Sequence, residues 1–598
     1  MTILDIDTSN RTPEVASDAA VRLSVDSLNV GFERNGSIRP VVTNVSFDLR
    51  EGQCVAIVGE SGSGKSVTAR TLVGLTGANA VVDAGALRLG DDDLTALSAK
   101  RWRSIRGRRI GFILQDALVS LDPLRPVGKE IEEALRLHGW GDRTSRKRKV
   151  LDLLRSVGVP SPENRARQRP DELSGGLRQR ALIASALALD PEIVIADEPT
   201  TALDVTVQAQ VLQLLEEMKQ RGTSIILISH DLSVVAHLAD EILVMSGGEV
   251  VEQGSAHQIL TAPTHPYTRS LINAVPSRAT RGTRLAPASG VAPVHTAAHA
   301  NDEHAAFDGP VLEAEGLVKN FTAPDGTLTT AVNDVSFTLG RGETLGIVGE
   351  SGSGKSTTAR IALALEIADS GIVRLLGQDW SAVPETKRRR LRKQISVVYQ
   401  DPLSSFDPRW NVERILLDSL PAGAFATAAA RRERVLALLA QVGLPDAVLQ
   451  RFPLQLSGGQ RQRVAIARAL APSPSIVVLD EAVSALDVSI QAQILDLLVD
   501  LQKQFGLSYL FISHDLGVIS HLSDRVLVMK DGVVVESGDA DQIFTRPAHP
   551  YTQELLGALP TLDDDAAAAA ASVSPPYSFR PEPPFPHTPP EDTDEHPA

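Results

Sequence analysis

The sequence predicts an α/β fold built twice, and three observations predict it. Short apolar runs without polar alternation recur in each half: CVAIVG (54–59), IVIAD (193–197) and SIILIS (224–229), then TLGIVG (344–349), IVVLD (476–480) and LFIS (510–513). Such runs belong to strands covered on both faces, as in a parallel sheet flanked by helices. The first run of each half leads directly into the string GESGSGKS, at 59–66 and 349–356. Finally, the halves share further strings in one order: LSGG at 173–176 and 456–459, SHDL at 229–232 and 513–516, HPYT at 265–268 and 549–552. Self-similarity on that scale reads as a duplication of a whole domain.

With 598 residues the chain exceeds a single core, and at roughly 150 residues per domain it should hold about four globular units. The repeats divide it into a first domain at 22–276 and a second at 311–560. Between them, 277–310 is rich in Ala, Pro, Gly and His without sustained periodicity, and is expected to be a flexible linker. The N-terminal 1–21 and the acidic, Pro-rich 561–598 are expected to be disordered, because they carry too little apolar surface to order themselves.

Composition excludes several classes. A net charge of −15 opposes the basic footprint of a nucleic-acid binder, so no nucleic-acid partner is expected. A single cysteine, Cys54, excludes an intrachain disulfide framework and any cysteine-built zinc or iron–sulfur cluster. The first residues have neither a basic start nor an apolar core, and no run approaches the ~18 to 20 apolar residues that span a bilayer. A cytosolic location is expected, with other chains holding the protein at a membrane if it works at one.

GxxxxGK[ST] after a strand is a phosphate-binding loop. Its glycines let backbone N–H groups curl round phosphates, a helix N-terminus faces them, and the lysine neutralises their outer oxygens. Gly59, Glu60, Ser61, Gly62, Ser63, Gly64, Lys65, Ser66 and Val67 form the first such loop; Gly349, Glu350, Ser351, Gly352, Ser353, Gly354, Lys355, Ser356 and Thr357 form the second. ATP with Mg²⁺ is the expected occupant, Ser66 and Ser356 ligating the metal through their hydroxyls. The runs ending in Asp197-Glu198 and Asp480-Glu481 place adjacent carboxylates at the end of a buried strand. Asp197 and Asp480 are expected in the Mg²⁺ shell, and Glu198 and Glu481 are expected to act on the attacking water as general base or polarising group.

Taken with LSGGLRQR (173–180) and LSGGQRQR (456–463) upstream of those carboxylates, both halves resemble the nucleotide-binding domains of ATP-binding cassette (ABC) transporters, over about 22–276 and 311–560. The resemblance implies two P-loop, RecA-like α/β cores, each opening with an antiparallel β-subdomain and carrying a helical subdomain at about 116–178 or 401–461. Ser174, Gly175 and Gly176, and Ser457, Gly458, Gly459 and Gln460, would open helices whose free N–H groups meet the γ-phosphate held by the opposite half. Gln115 and Gln400 resemble the glutamine that reaches metal and water, and His230 and His514 the histidine that contacts the γ-phosphate. Thr201 to Asp204 and Ser484 to Asp487 resemble the D-loops that cross between halves. Phe32 and Phe321 fall where an aromatic ring stacks on adenine, or they pack into the core.

Two positions depart from the pattern: Leu177 where the second half has Gln460, and Ala482-Val483 where the first has Pro199-Thr200. Gln460 is expected to offer amide hydrogen bonds near one nucleotide, leaving the site completed by Leu177 the weaker; alternatively this position faces solvent. The HPYT segments resemble the peptide and nickel importer subgroup and are expected, mechanically, to be Pro-started helices packed on the core. Membership implies two integral membrane permease subunits, an extracytoplasmic substrate-binding protein and a location on the cytoplasmic face of the membrane. Peptide, nickel and glutathione-like cargo stay open, as does a soluble twin-cassette ATPase.

Overall fold

A computed structural model describes residues 19–114, 120–200, 203–286, 309–322, 328–484 and 486–558. Each half is organised around a six-stranded sheet. In the first the strand order is Glu249–Ser255, Glu241–Ser246, Cys54–Val58, Ser224–Ile228, Ile193–Asp197, Ile110–Ile113. The five strands after the edge strand run parallel, and Glu249–Ser255 is antiparallel. The second half repeats the order, from Val533–Asp539 at one edge to Ile395–Val398 at the other. The runs read as doubly covered strands are so: Cys54, Ala56 and Val58 enter one core cluster, and Val55 and Ile57 enter the cluster on the opposite face. Alternate residues therefore serve two cores, which is why the sequence shows no alternation of polarity.

An antiparallel sheet opens each half. Val21–Arg34 and Ser37–Arg50 form a hairpin whose two connecting residues, Asn35 and Gly36, both have positive φ (53° and 76°). Asn-Gly is the pair that tolerates this tight turn. Helical insertions follow: Val127–Leu137 and Arg143–Ser156 pack on the helix Gly175–Ala186, and Val412–Ser419 and Ala428–Gln441 on Gly458–Leu470. Among the described residues no helix is long and apolar enough to cross a membrane.

The span expected to be a linker differs in its first part. Residues 277–286 lie on the second half, with Leu285 only 2% exposed in that half's core. The backbone N–H groups of Leu285 and Ala286 donate to the Asp496 carboxylate at 3.1 and 3.0 Å. Arg281 pairs with Asp524 and Asp541, and Arg284 with Asp500. An apolar anchor and four acids on other elements order a segment whose own composition does not. Residues 287–308, like 1–18 and 559–598, lie outside the described residues.

Candidate nucleotide sites

Each phosphate loop begins where a central strand ends. Gly59 has φ of +146°, and a Cβ there would lie 2.1 Å from the Met245 carbonyl oxygen, so only glycine passes. Lys65 opens the helix Lys65–Leu72 and is 5% exposed. Its ammonium donates to the carbonyls of Gly59 and Glu60 at 2.6 and 2.8 Å, and Lys355 donates to Gly349 and Glu350 at 2.7 Å each. Burial pulls both ammonium groups below their ordinary pKa, while nearby carboxylates pull the other way.

Ser66 Oγ lies 3.0 Å from Asp197 Oδ1, and Ser356 Oγ 3.2 Å from Asp480 Oδ1. Asp197 is 1% exposed, and among the described residues its Oδ2, like the hydroxyls of Ser63 and Ser353, is buried without a hydrogen-bond partner. Burial, despite the serine, raises the pKa of Asp197 and of Asp480. Buried polar atoms left unmatched mark a place built for a ligand. A hydroxyl and a carboxylate oxygen about 3 Å apart match two neighbouring corners of an octahedral cation with ligands at ~2.1 Å.

The next residue carries strain. Glu198 and Glu481 have φ of 51° and 49°, in the left-handed region that costs a residue with a Cβ of order 1 kcal/mol or more. Their amides donate to Ile228 and Ile512 at 2.9 Å, fixing the turn at the strand end. Glu198 Oε1 lies 3.3 Å from His230 Nδ1, and Glu481 Oε1 3.5 Å from His514 Nδ1. Burial alone would lower both imidazoles, but each glutamate's hydrogen bond and charge outweigh it and raise them above the ordinary value. Glu481 itself, which burial would raise, is held below the ordinary range by His514. Gln400 Nε2 donates to Glu481 Oε2 at 2.7 Å, joining the groups assigned to metal and water. Its counterpart Gln115 lies outside the described residues, as do Thr201, Ala202 and Ala485 of the D-loops.

The two halves meet at these loops. Thr206 Oγ1, just past the first D-loop, donates to Glu350 Oε1 of the second phosphate loop at 2.5 Å. The Ser61 amide of the first phosphate loop acts on the Asp487 carboxylate of the second D-loop, favouring its charged form against burial. Asp487 acts electrostatically on Lys65, and Asp204 on Lys355.

Ser174 and Ser457 stand at the N-termini of their helices and cap them, accepting from the amides of Leu177 (3.4 Å) and Gln460 (3.3 Å). Among the described residues neither serine hydrogen-bonds to the opposite phosphate loop. The Gln460 side-chain oxygen turns back to accept from the Ser457 amide at 3.2 Å, closing a capping box within its own helix. Leu177 instead packs against apolar neighbours.

Phe321 is 43% exposed, with the Lys319 ammonium 5.3 Å from its ring centroid, so it is not a core residue. Phe32 is half-buried on Val21–Arg34, opposite Arg39.

The HPYT segments hold more than a packed helix. His265 caps the helix Pro266–Asn273, its Nδ1 accepting from the Tyr267 amide at 3.2 Å, with Pro266 at the first position. Glu252 accepts from the Thr264 and His265 amides at 2.6 and 3.1 Å. Although burial opposes it, the Thr264 hydroxyl and these amides donate to Glu252 and, with the Thr268 hydroxyl nearby, lower its pKa to about 2. His549, Thr552 and Glu536 repeat the arrangement. The tyrosines, which sequence reasoning did not single out, reach the phosphate loops: Tyr267 Oη accepts from the Glu60 amide at 3.0 Å, and Tyr551 Oη from the Glu350 amide at 3.2 Å.

Two phosphate loops, each with a hydroxyl–carboxylate pair, a strained glutamate on a histidine and a capped serine helix, define a twin nucleotide-binding ATPase of the cassette type. The chain belongs to the ABC transporter family, whose profile matches residues 42–201 and 332–484. A second profile, described as the oligopeptide/dipeptide transporter C-terminal region, matches 251–301 and 535–578. The glutathione import ATP-binding protein GsiA of Salmonella paratyphi A is 43% identical over 559 residues, 90% of each chain. The protein of that name from Escherichia coli O157:H7 is 43% identical over 564 residues, 91% of this chain and 90% of that one. A solved dimeric bacterial ABC transporter cassette is 29% identical, covering 38% of this chain and 98% of that chain, with a TM-score of 0.36.

Proposed function

We propose that this chain is the ATP-hydrolysing subunit of an importer for small peptides of glutathione size, working at two composite sites and held on the cytoplasmic face of a membrane by two permease subunits. The observation that carries the composite sites is the crossing of contacts between halves: Thr206 Oγ1 donates to Glu350 of the second phosphate loop, and the D-loop carboxylates Asp487 and Asp204 act on Lys65 and Lys355 of the opposite loops. The peptide cargo follows from the duplicated C-terminal region and from relatives named for glutathione import.

Site one combines Lys65, Ser66, Gln115, Asp197, Glu198 and His230 with Ser457 to Gln460; site two combines Lys355, Ser356, Gln400, Asp480, Glu481 and His514 with Ser174 to Leu177. Lys65 and Lys355 exchange their loop carbonyls for phosphate oxygens. Ser66 with Asp197, and Ser356 with Asp480, would hold Mg²⁺, which neutralises phosphate charge when bound. Glu198 and Glu481 orient the attacking water and take its proton, and the histidines keep those carboxylates aimed. Phe32 and Phe321 offer faces to the adenine. Opening and closing of the halves moves the permeases, and a substrate-binding protein outside the membrane delivers the cargo.

Co-expression with candidate permease subunits encoded beside it and reconstitution into proteoliposomes tests this. Uptake of glutathione or a dipeptide that needs ATP on the side of this chain is expected. ATPase activity indifferent to permeases and cargo would sink the transport reading.

A further inference from the structure

The tyrosine contacts lie on a mechanically sensitive peptide unit. The unit joining Gly59 to Glu60 donates its N–H to Tyr267 Oη at 3.0 Å, while its C=O accepts from Lys65 Nζ at 2.6 Å. In the second half the Gly349–Glu350 unit donates to Tyr551 at 3.2 Å and accepts from Lys355 at 2.7 Å. Gly59 and Gly349, with φ of +146° and +147°, are the hinges about which this unit would turn. An N–H otherwise free to rotate toward the phosphates is held outward, and the lysine, tied to the same unit, is held with it.

We propose that Tyr267 and Tyr551 are positioning residues of the two phosphate loops, each phenol oxygen fixing the peptide unit that sets the place of the loop lysine. This rests on the loops being the ATP sites and gives the HPYT segment a role in nucleotide binding. The rest of the segment supports that role: His265 and His549 cap the helix, and Glu252 and Glu536 fix its start, so the tyrosine arrives on a rigid element. Tyr551 is further held by the Lys530 ammonium, 4.4 Å from its ring centroid, where the first half has Ser246. Burial raises the pKa of both phenols, Tyr551 to about 12, so they stay neutral acceptors across the working range.

The test is Tyr267→Phe and Tyr551→Phe, singly and together, in the full-length chain. Four readouts apply: the dissociation constant for a fluorescent ATP analogue, the KM and kcat of ATP hydrolysis, backbone hydrogen exchange at the Glu60 and Glu350 amides, and the thermal midpoint without nucleotide. Loss of one neutral hydrogen bond predicts about three- to tenfold weaker binding at the altered site, with KM raised more than kcat is lowered. Faster exchange at the released amide and an unchanged midpoint are expected alongside. Wild-type affinity and exchange in the double variant would overturn the proposal. So would an affinity loss matched by a lowered midpoint, which would assign the phenols to general packing. Failure of the ATP-site reading itself would appear separately, as no analogue binding by the unaltered chain.

Discussion

The two halves keep the same chemistry and differ in what surrounds it. Lysine on loop carbonyls, serine on aspartate and glutamate on histidine recur with distances that agree within 0.2 Å, from 3.0 against 3.2 Å for the serines to 3.3 against 3.5 Å for the histidines. Around them the halves diverge. Gln179 Nε2 donates to the Pro199 carbonyl at 3.1 Å, whereas the matching Gln462 Nε2, in the half that has Ala482 in place of Pro199, is buried without a partner among the described residues. Gln460 closes a capping box that Leu177 cannot close. Residues 277–286 cover His521 and Asp496, while the matching His237 and Gln213 are exposed. Duplicated catalytic geometry tolerates little drift, because ångström-scale misplacement costs rate. Caps and docking surfaces drift more freely, each worth about a kcal/mol.

The largest expected effect tests the shared part. Glu198→Gln with Glu481→Gln should lower turnover by two or more orders of magnitude while ATP still binds, because the amide keeps the shape and cannot take a proton. Phosphate release against analogue binding measures it, and the two single variants ask whether the halves contribute equally. Near wild-type turnover in the double variant would break the assignment.

Next in size is the docked segment. Asp496→Ala strands one buried and one half-buried backbone N–H group and should cost about 2 kcal/mol, whereas Gln213→Ala, exposed at the matching place, should stay within about 0.5 kcal/mol. Chemical denaturation of both variants gives the comparison; equal losses would remove the asymmetry.

A pH effect of smaller size follows from His521. Burial, only partly countered by Asp496, lowers its pKa below the ordinary 6.5, and Arg281 adds to the lowering. Since the folded state disfavours the proton, stability is full above the unfolded value and falls as pH drops from about 6.5 toward the folded one. His230 and His514, raised instead, contribute below the unfolded value and lose that contribution as pH rises. The urea midpoint of wild type should therefore fall relative to His521→Gln between pH 7.5 and 5.5. A constant difference would remove the histidine from the account.

The smallest change is Leu177→Gln. With the box closed as in the second half, the first signature helix should gain from a few tenths to about 1 kcal/mol, and Gln460→Leu should lose as much. ATP occupancy should shift by no more than a similar amount, about the worth of one neutral hydrogen bond. Equal thermal midpoints in wild type and both variants would show that the box carries no weight.

Much of this was legible in the chain. The apolar runs, the phosphate loops, the Asp-Glu pairs and the histidines after the next strand are local patterns, and the fold places them as their spacing implies. The capping box was legible too, since Ser457 and Gln460 make its S-x-x-Q pattern, but a resemblance drew attention to the nucleotide instead of the helix. Periodicity, turn residues and strand-end motifs act between near neighbours, so the sequence by itself determined the doubly covered sheets, the turn at Asn35-Gly36 and the places along the chain where the candidate reacting groups stand. The tertiary structure decided the rest. Tyr267 meets Glu60 across 207 positions, Leu285 is ordered by Asp496 across 211, and Thr206 meets Glu350 across 144. Such contacts leave no local pattern, because a hydrogen bond needs only one donor and one acceptor brought together, and it is the packing of whole elements that brings them there.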